Sequence, residues 1–164
     1  MTVTFRSILV PTDFSAASVH ALDYARALAE RFGASLHLLH VVEDPVSASA
    51  WTEGYALSLT ALREQFIDEA KTRLADQKAQ MPDLQVTTET IVGHPARTIA
   101  ELAGERHDDL IVMGTHGRSG VTHLLLGSVA ERVIRLAPCP VLTIRQPDRQ
   151  RTTDAVLTEA AIPA

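Results

Sequence analysis

Glycines recur between an apolar run and an amphipathic run in the second half of the chain. The segment Met113-Gly-Thr-His-Gly-Arg-Ser-Gly-Val-Thr-His-Leu-Leu-Leu-Gly-Ser-Val129 carries them at positions 114, 117, 120 and 127. Glycine lets a backbone approach a ligand closely and adopt a positive φ. Ser128 would begin the following helix, where free N–H groups and the helix dipole favour an anion. The pattern favours a phosphate-binding loop over a glycine-rich connection without a ligand.

The rest of the chain alternates short apolar runs with amphipathic segments, a pattern typical of α/β proteins. The runs that predict strands are residues 7–11, 36–42, 86–92, 110–113 and 141–144. The helical segments carry apolar residues at helical spacing: Val19, Leu22, Ala25, Ala29 and Phe32; Leu59, Leu62, Phe66, Ala70 and Leu74; Ala96, Ile99 and Ala103; and the stretch 129–136. Ser15 is expected to cap the first helix and Gly33 to end it. The β-branched, partly polar run 86–92 suits a sheet edge.

This alternation predicts an α/β fold, an open five-stranded parallel sheet with helices on both faces. Right-handed crossovers with one reversal of winding give the strand order 3-2-1-4-5, with the first and fourth strands adjacent. Ligands of such sheets bind at the carboxyl ends of the strands flanking the reversal. We therefore expect Asp13, after the first strand, and the glycine loop, after Met113, to face one crevice.

Length and composition indicate one domain, residues 1–146, followed by a polar tail, residues 147–164. The tail is expected either to be flexible or to dock on a neighbouring subunit. The long connection 43–55 is either a partner or lid surface or a solvated link. The net charge of −5, with both signs interspersed, argues against nucleic acid as a partner. No apolar run is long enough for a membrane span and no signal pattern starts the chain, so a cytoplasmic location without a membrane partner is expected.

Several chemistry-bearing motifs are missing from the sequence. There is no G-x-x-x-x-G-K-[ST] loop, no G-x-G-x-x-G after the first strand and no metal-ligand spacing. His37 and His40, three apart on a strand, face opposite sides and cannot chelate a metal together. The single cysteine, Cys139, is expected to be an inert thiol rather than a nucleophile. We therefore predict no catalytic residues and no metal ligands.

The pattern Gly114-x-x-Gly117-x9-Gly127-Ser128 closely resembles the nucleotide loop of the universal stress protein family. Ile8-Leu-Val-Pro-Thr-Asp13 is similar to the family's first strand, and Ala137-Pro-Cys-Pro-Val-Leu142 to the lead into its last strand. The resemblance covers roughly residues 5 to 145. It implies a Rossmann-like fold of the adenine nucleotide alpha hydrolase type, and an ATP site, since the intact loop places the chain with the ATP-binding members.

The resemblance assigns a role to each candidate site residue. Asp13 and the backbone around Val41 would hold adenine and ribose, with Pro11 and Thr12 in the pocket wall. Met113 and Gly114 would pass close to the sugar. The residues that would wrap or neutralise the phosphates are Gly117, Gly127, Ser128 and Val129, with His116 and Arg118 adding charge. Two alternatives stay open, since Asp13 would otherwise cap the first helix and His116 would otherwise be solvated.

Three functions are compatible with this sequence. The first is an ATP-binding stress-response or signalling protein, assisted by Mg²⁺ or Mn²⁺, that dimerises through its last strand and acts on an unknown protein partner. The second is a slow ATPase or phosphotransferase that uses the same pocket. The third is a dimeric interaction module without nucleotide. The first is favoured, and with it the view that the protein is not an enzyme, or at most a weak ATPase.

Overall fold

A computed structural model describes residues 4–43, 53–115 and 126–145, with the backbone alone for residues 53–59. The strands are β1 (Ser7–Pro11), β2 (Ser35–Val42), β3 (Val86–Val92), β4 (Leu110–Gly114) and β5 (Val141–Ile144). The helices are α1 (Ala16–Phe32), α2 (Glu53–Ala79), α3 (Pro95–Glu105) and α4 (Ser128–Leu136). The predicted connection 43–55 is therefore too long at its end, because its last three residues already belong to α2. Residues 44–52 and the tail from 146 onward lie outside the described residues.

The five strands form one parallel sheet in the order β3-β2-β1-β4-β5, which confirms the predicted order. β1 lies at the centre, where Ile8 pairs with Leu36 of β2 and with Leu110 of β4. The run 86–92 is an edge strand, as predicted, and β5 forms the other edge. The carboxyl ends of β1 and β4 consequently lie side by side.

Helices cover both faces of the sheet, as predicted, because side chains alternate along each strand. Ile8 and Val10 are fully buried in a cluster that contains residues of α1 and α2. Leu9, also fully buried, points to the other face and joins a cluster with residues of α3 and α4. Each face of the sheet therefore has its own apolar layer. Among the described residues, no helix is long and apolar enough to cross a membrane.

The first helix begins and ends where the sequence predicts. The Ser15 hydroxyl accepts a hydrogen bond from the Ser18 N–H at 3.3 Å, and Gly33 ends α1 in the left-handed conformation at φ 67°. The prediction for its buried face is partly wrong, because Val19 and Phe32 are 43% and 40% exposed. The buried face carries mostly small side chains, namely Ala17, Ser18, Ala21, Leu22, Ala25 and Ala29. Small residues let the helix pack close to the sheet and displace its larger apolar residues to the margins.

The second helix shows the same kind of difference. Ala70 and Leu74 are buried, as predicted, but Leu62 and Phe66 are 39% and 44% exposed. Phe66 lies at the carboxyl end of the sheet, where it lines a crevice instead of the core. Leu59 belongs to the part of α2 described by its backbone alone. Helical spacing therefore identified the helix but overstated how much of one face is covered.

The outer edge of β5 is defined by its hydrogen bonds to β4. The carbonyl oxygens of Pro140 and Ile144 accept from the N–H groups of Ile111 and Thr115, at 3.0 and 2.9 Å. Because backbone groups alternate in direction along a strand, the N–H of Thr143 points away from β4. In the described sheet, that direction is the free edge.

Candidate functional site

A crevice of about 610 Å³ opens at the carboxyl ends of β1, β2 and β4, a size typical of small-molecule sites. Its other walls come from α2 and from the first turns of α3 and α4. Nine of the twelve predicted site residues line it: Pro11, Thr12, Asp13, Val41, Met113, Gly114, Gly127, Ser128 and Val129. His116, Gly117 and Arg118 lie outside the described residues, so their assignment stays a prediction. The two segments expected to meet, after β1 and after β4, do meet.

The turn after β1 is organised by its own side chains. The Thr12 hydroxyl accepts a hydrogen bond from the Phe14 N–H, and the Asp13 carboxylate accepts one from the Ser15 N–H, both at 3.0 Å. Ser15 is the N-cap of α1, so the alternative in which Asp13 caps that helix is wrong. Asp13 instead shapes the turn before the helix and lines the crevice.

Phe14 carries an uncommon backbone conformation at the edge of this crevice. Its φ is 62°, which is strained for a bulky residue. Its ring contacts the His40 ring with centroids 4.6 Å apart, and the Arg73 guanidinium lies over it at 4.2 Å. The His40 Nδ1 lies 2.7 Å from the Thr12 carbonyl oxygen, which can only accept, so Nδ1 carries a proton. This group could not be predicted from the sequence, because Phe14, His40 and Arg73 are distant in the chain.

The ends of the glycine loop are joined by a hydrogen bond. The Gly127 N–H donates to the Thr115 carbonyl oxygen at 2.6 Å, and the Thr115 N–H donates to the Ile144 carbonyl oxygen at 2.9 Å. The loop's entry and exit are thus held together and tied to β5. This corrects the prediction that the Gly127 N–H would contact phosphate, because that donor already has a partner.

The first turn of α4 faces the crevice without a side-chain cap. Gly127 occupies the N-cap position at φ −73° and ψ 153°, with no side-chain hydrogen bond to the helix. The N–H groups of Ser128, Val129 and Ala130 precede the first intrahelical hydrogen bond, which runs from Glu131 to Gly127. All three residues line the crevice. The sequence-based expectation of an anion site at this helix start therefore has a definite place in the fold.

The conformational argument for the loop glycines needs correction. Neither Gly114 nor Gly127 has a positive φ, and Gly33 is the one glycine with a positive φ in the described parts of the chain. At Gly114 a Cβ would lie 3.0 Å from the backbone carbon and oxygen of Ala17. Gly114 therefore allows the close packing of α1 against β4, which a Cβ would tighten.

The two histidines of β2 point to opposite faces, as predicted. His40 lines the crevice, whereas His37 is only 2% exposed and its Nε2 lies 3.2 Å from a Glu89 carboxylate oxygen. The His37 Nδ1 is buried without a hydrogen-bond partner. Burial, and then the nearby positive charge of Arg106, lower the pKa of His37 to about 4. The lowered pKa means that the His37 ring is neutral near pH 7. Its one proton is placed on Nε2, which can donate to Glu89, because a proton on Nδ1 would have no acceptor.

Outside the crevice, the single cysteine of the chain is a candidate reactive group. Cys139 is partly buried, and burial, with the negative charges of Asp108 and Asp109, raises the pKa of its thiol. The protonated thiol is therefore favoured, which fits an inert cysteine. In the described parts of the chain, no group of three or more His, Cys, Asp or Glu side chains is arranged to hold a metal ion.

Comparison with known proteins agrees with this geometry. A model of the universal stress protein family matches residues 4–145. The chain is 36% identical to universal stress protein MJ0531 of Methanocaldococcus jannaschii over 89% of this chain and 85% of that one. The structure is similar to universal stress protein UspA from Lactobacillus plantarum, with a TM-score of 0.80 and 31% identity over 88% and 100% of the two chains. A universal stress protein in complex with cAMP matches with a TM-score of 0.57 and 28% identity over 87% and 98%.

Proposed function

The chain belongs to the universal stress protein family, and on that premise we propose that its crevice binds ATP and that ATP occupancy controls a stress-response or signalling interaction. The observation that carries the proposal is the uncapped first turn of α4, which opens into the crevice beside the ends of β1 and β4. A relative solved in complex with cAMP supports an adenine nucleotide as the ligand class.

The residues of the crevice fit such a ligand. Its volume of about 610 Å³ lies within the range of small-molecule sites. The Ser128 and Val129 N–H groups and the Ser128 hydroxyl would hold phosphate oxygens at a helix N-terminus, where the dipole favours negative charge. Asp13 and the backbone around Val41 would hold ribose and adenine in the same crevice.

Divalent metal would accompany the nucleotide in this proposal. Mg²⁺ or Mn²⁺ is commonly held by substrate phosphates with one or two carboxylates. The role of the metal would be to neutralise phosphate charge.

The proposal is a binding function and not an enzymatic one. His116, which would add charge at the phosphates, lies outside the described residues. A weak ATPase in the same pocket is the alternative, and ADP released by the purified protein would favour it.

A homodimer through β5 is part of the proposal. β5 lies at a sheet edge, and the Thr143 N–H points outward from it. Leu142 is 37% exposed and Leu136, at the end of the neighbouring α4, is 57% exposed. Unpaired edge groups beside apolar side chains favour pairing with another chain, and two-fold dimers are the commonest assembly. The proposed location is the cytoplasm, and the partner that reads the nucleotide state is an unknown protein.

Mass spectrometry of small molecules released from the purified protein tests the ligand directly. ATP is expected, and protein stripped of nucleotide should regain it in the presence of Mg²⁺ or Mn²⁺. ATP at 100 times its Kd should add about 2.7 kcal/mol to the free energy of unfolding, a rise in Tm of roughly 5–10 °C. No released nucleotide, together with no shift at millimolar ATP, would contradict the proposal and favour an interaction module.

A further inference from the structure

One cation of the crevice has no role in the site proposed above. Arg73 of α2 lines the crevice, and its guanidinium carbon lies 4.2 Å from the centroid of the Phe14 ring. Its Nη1 is 3.8 Å from a Glu69 carboxylate oxygen, an ion pair beyond hydrogen-bond distance. The Arg73 side chain is 43% exposed, so it combines contact with the aromatic wall and access from the crevice.

The described lining of the crevice carries more negative than positive side chains. Three carboxylates, Asp13, Glu43 and Glu69, belong to the described lining, and Arg73 is the one lysine or arginine in it. A polyphosphate that enters meets these carboxylates as well as the N-terminus of α4. Like charges close to the ligand oppose binding and a nearby cation favours it, so Arg73 would offset part of the repulsion from these carboxylates.

Contact with the Phe14 ring restricts where the Arg73 guanidinium lies. Phe14 is held by its N–H bond to the Thr12 hydroxyl and by the His40 ring, in a strained backbone conformation. A guanidinium is planar, so one that lies over a ring still presents its N–H groups at its edge. Those edge groups match the geometry of phosphate oxygens. A cation already held in place loses less conformational freedom on binding than a free side chain.

We propose that Arg73 makes the crevice select phosphorylated nucleotides over the uncharged nucleoside, by donating from its guanidinium edge to a phosphate while it stays in contact with Phe14. This inference rests on the proposed nucleotide site and names a determinant of its specificity. It requires Arg73 to contribute to the binding of ATP and very little to the binding of adenosine.

Isothermal titration calorimetry of the wild type, Arg73→Gln and Arg73→Lys with ATP and with adenosine, both in Mg²⁺, tests the proposal. Arg73→Gln should weaken ATP binding about tenfold, the equivalent of one charge-assisted hydrogen bond, and leave adenosine binding unchanged within about twofold. Arg73→Lys, which keeps the charge without the fork, should fall between. The matched control is Arg26→Gln, because Arg26 forms an ion pair of the same i,i+4 type with Glu30 on α1 at 2.9 Å, and should change neither affinity.

Each other outcome has a definite meaning. Unchanged ATP affinity in Arg73→Gln overturns the inference and leaves the nucleotide site standing. An equal loss for ATP and adenosine also overturns it, because Arg73 would then act by packing on Phe14. If the wild type binds neither ligand, the proposed function fails first. Thermal unfolding without ligand shows whether Arg73→Gln folds, and if it does not, the ratio of ATP to adenosine affinity in Arg73→Lys decides, since an unchanged ratio overturns the inference.

Discussion

Replacing Gly127 by aspartate should stabilise the free protein and weaken ATP binding at the same time. Gly127 has N-cap geometry, φ −73° and ψ 153°, but no side chain to cap α4. A carboxylate there would accept hydrogen bonds from the Val129 or Ala130 N–H, the usual partners of a capping side chain. The Val129 N–H is a donor of the proposed phosphate site, and the carboxylate would also repel a phosphate, so one substitution should move stability and affinity in opposite directions.

The magnitudes follow from the helix terminus. Aspartate exceeds glycine as an N-cap by a few tenths of a kcal/mol, and its charge at the positive end of the dipole adds about 0.3–1 kcal/mol. Glu131, in the same turn, repels the new charge, although its pairing with Arg135 at 2.8 Å moderates the repulsion. We expect a net gain of about 0.5 kcal/mol, or roughly 1–3 °C in Tm. Loss of the Val129 N–H bond to a charged phosphate, together with repulsion between the carboxylate and the phosphate, should cost about 3 kcal/mol, a reduction in ATP affinity of roughly 100-fold.

Thermal unfolding of nucleotide-free protein and calorimetric titration with ATP measure the two effects. Gly127→Asn is the matched control, because it caps the helix without a charge and should give a similar stability with a smaller loss of affinity. Gly127→Ala has no capping group and should bind ATP without gaining stability. Wild-type affinity in Gly127→Asp would refute the phosphate position, and a large loss of stability would refute the assignment of Gly127 as an ordinary N-cap.

Three further predictions concern the rest of the fold. Gly114→Ala should lower the free energy of unfolding, measured by chemical denaturation, by about 1–3 kcal/mol, because the Cβ would press on Ala17. Gly104→Ala is the control, since its Cβ meets only ordinary contacts, and it should leave the free energy of unfolding unchanged or raise it. Equal effects of the two substitutions would contradict this explanation. The neutral ring of His37 has a folded pKa of about 4, below its unfolded value of about 6.5, so stability should fall as pH drops from 6.5 to 4, by up to about 3 kcal/mol. His37→Gln should flatten this dependence in urea titrations, and an unchanged slope would assign it to other groups. Thr143→Pro removes an outward N–H donor and should give a monomer near half the dimer mass in light scattering, while a folded dimer would place the interface elsewhere.

The fold could be predicted because its signals are local. Apolar runs, the N-cap Ser15 and the terminal Gly33 predicted the bounds of the strands and of the first helix to within about a residue. The right-handed crossover rule for parallel strands then predicted the strand order. The errors at Val19, Phe32, Leu62 and Phe66 have one cause. Helical spacing shows which side of a helix is apolar, but the width of the buried stripe depends on how the helix packs. In α1 the small residues of the buried face allow close packing, and in α2 Phe66 lines the crevice instead of the core.

The site was predictable where glycines and strand ends mark it, and not where distant side chains meet. Asp13 and the start of α4 follow strand ends, so the topology places them together. The group formed by Phe14, His40 and Arg73 joins a turn, a strand and a helix, and none of the three has a local signature. The positive φ of Phe14 could not be predicted, because glycine is the residue that normally adopts this conformation.

The negative charge of the crevice explains why a phosphate there would need Arg73, the N–H groups of α4 and a divalent metal together. Three carboxylates lie in the described lining against Arg73, so the described side chains alone give no net attraction for a polyphosphate. The backbone N–H groups of α4 add a dipole that carries no formal charge and acts only over the first turn. A divalent metal on the phosphates would remove much of the remaining repulsion. The proposed nucleotide should therefore be held tightly only with metal, while adenosine, which meets no such repulsion, should bind equally well without it.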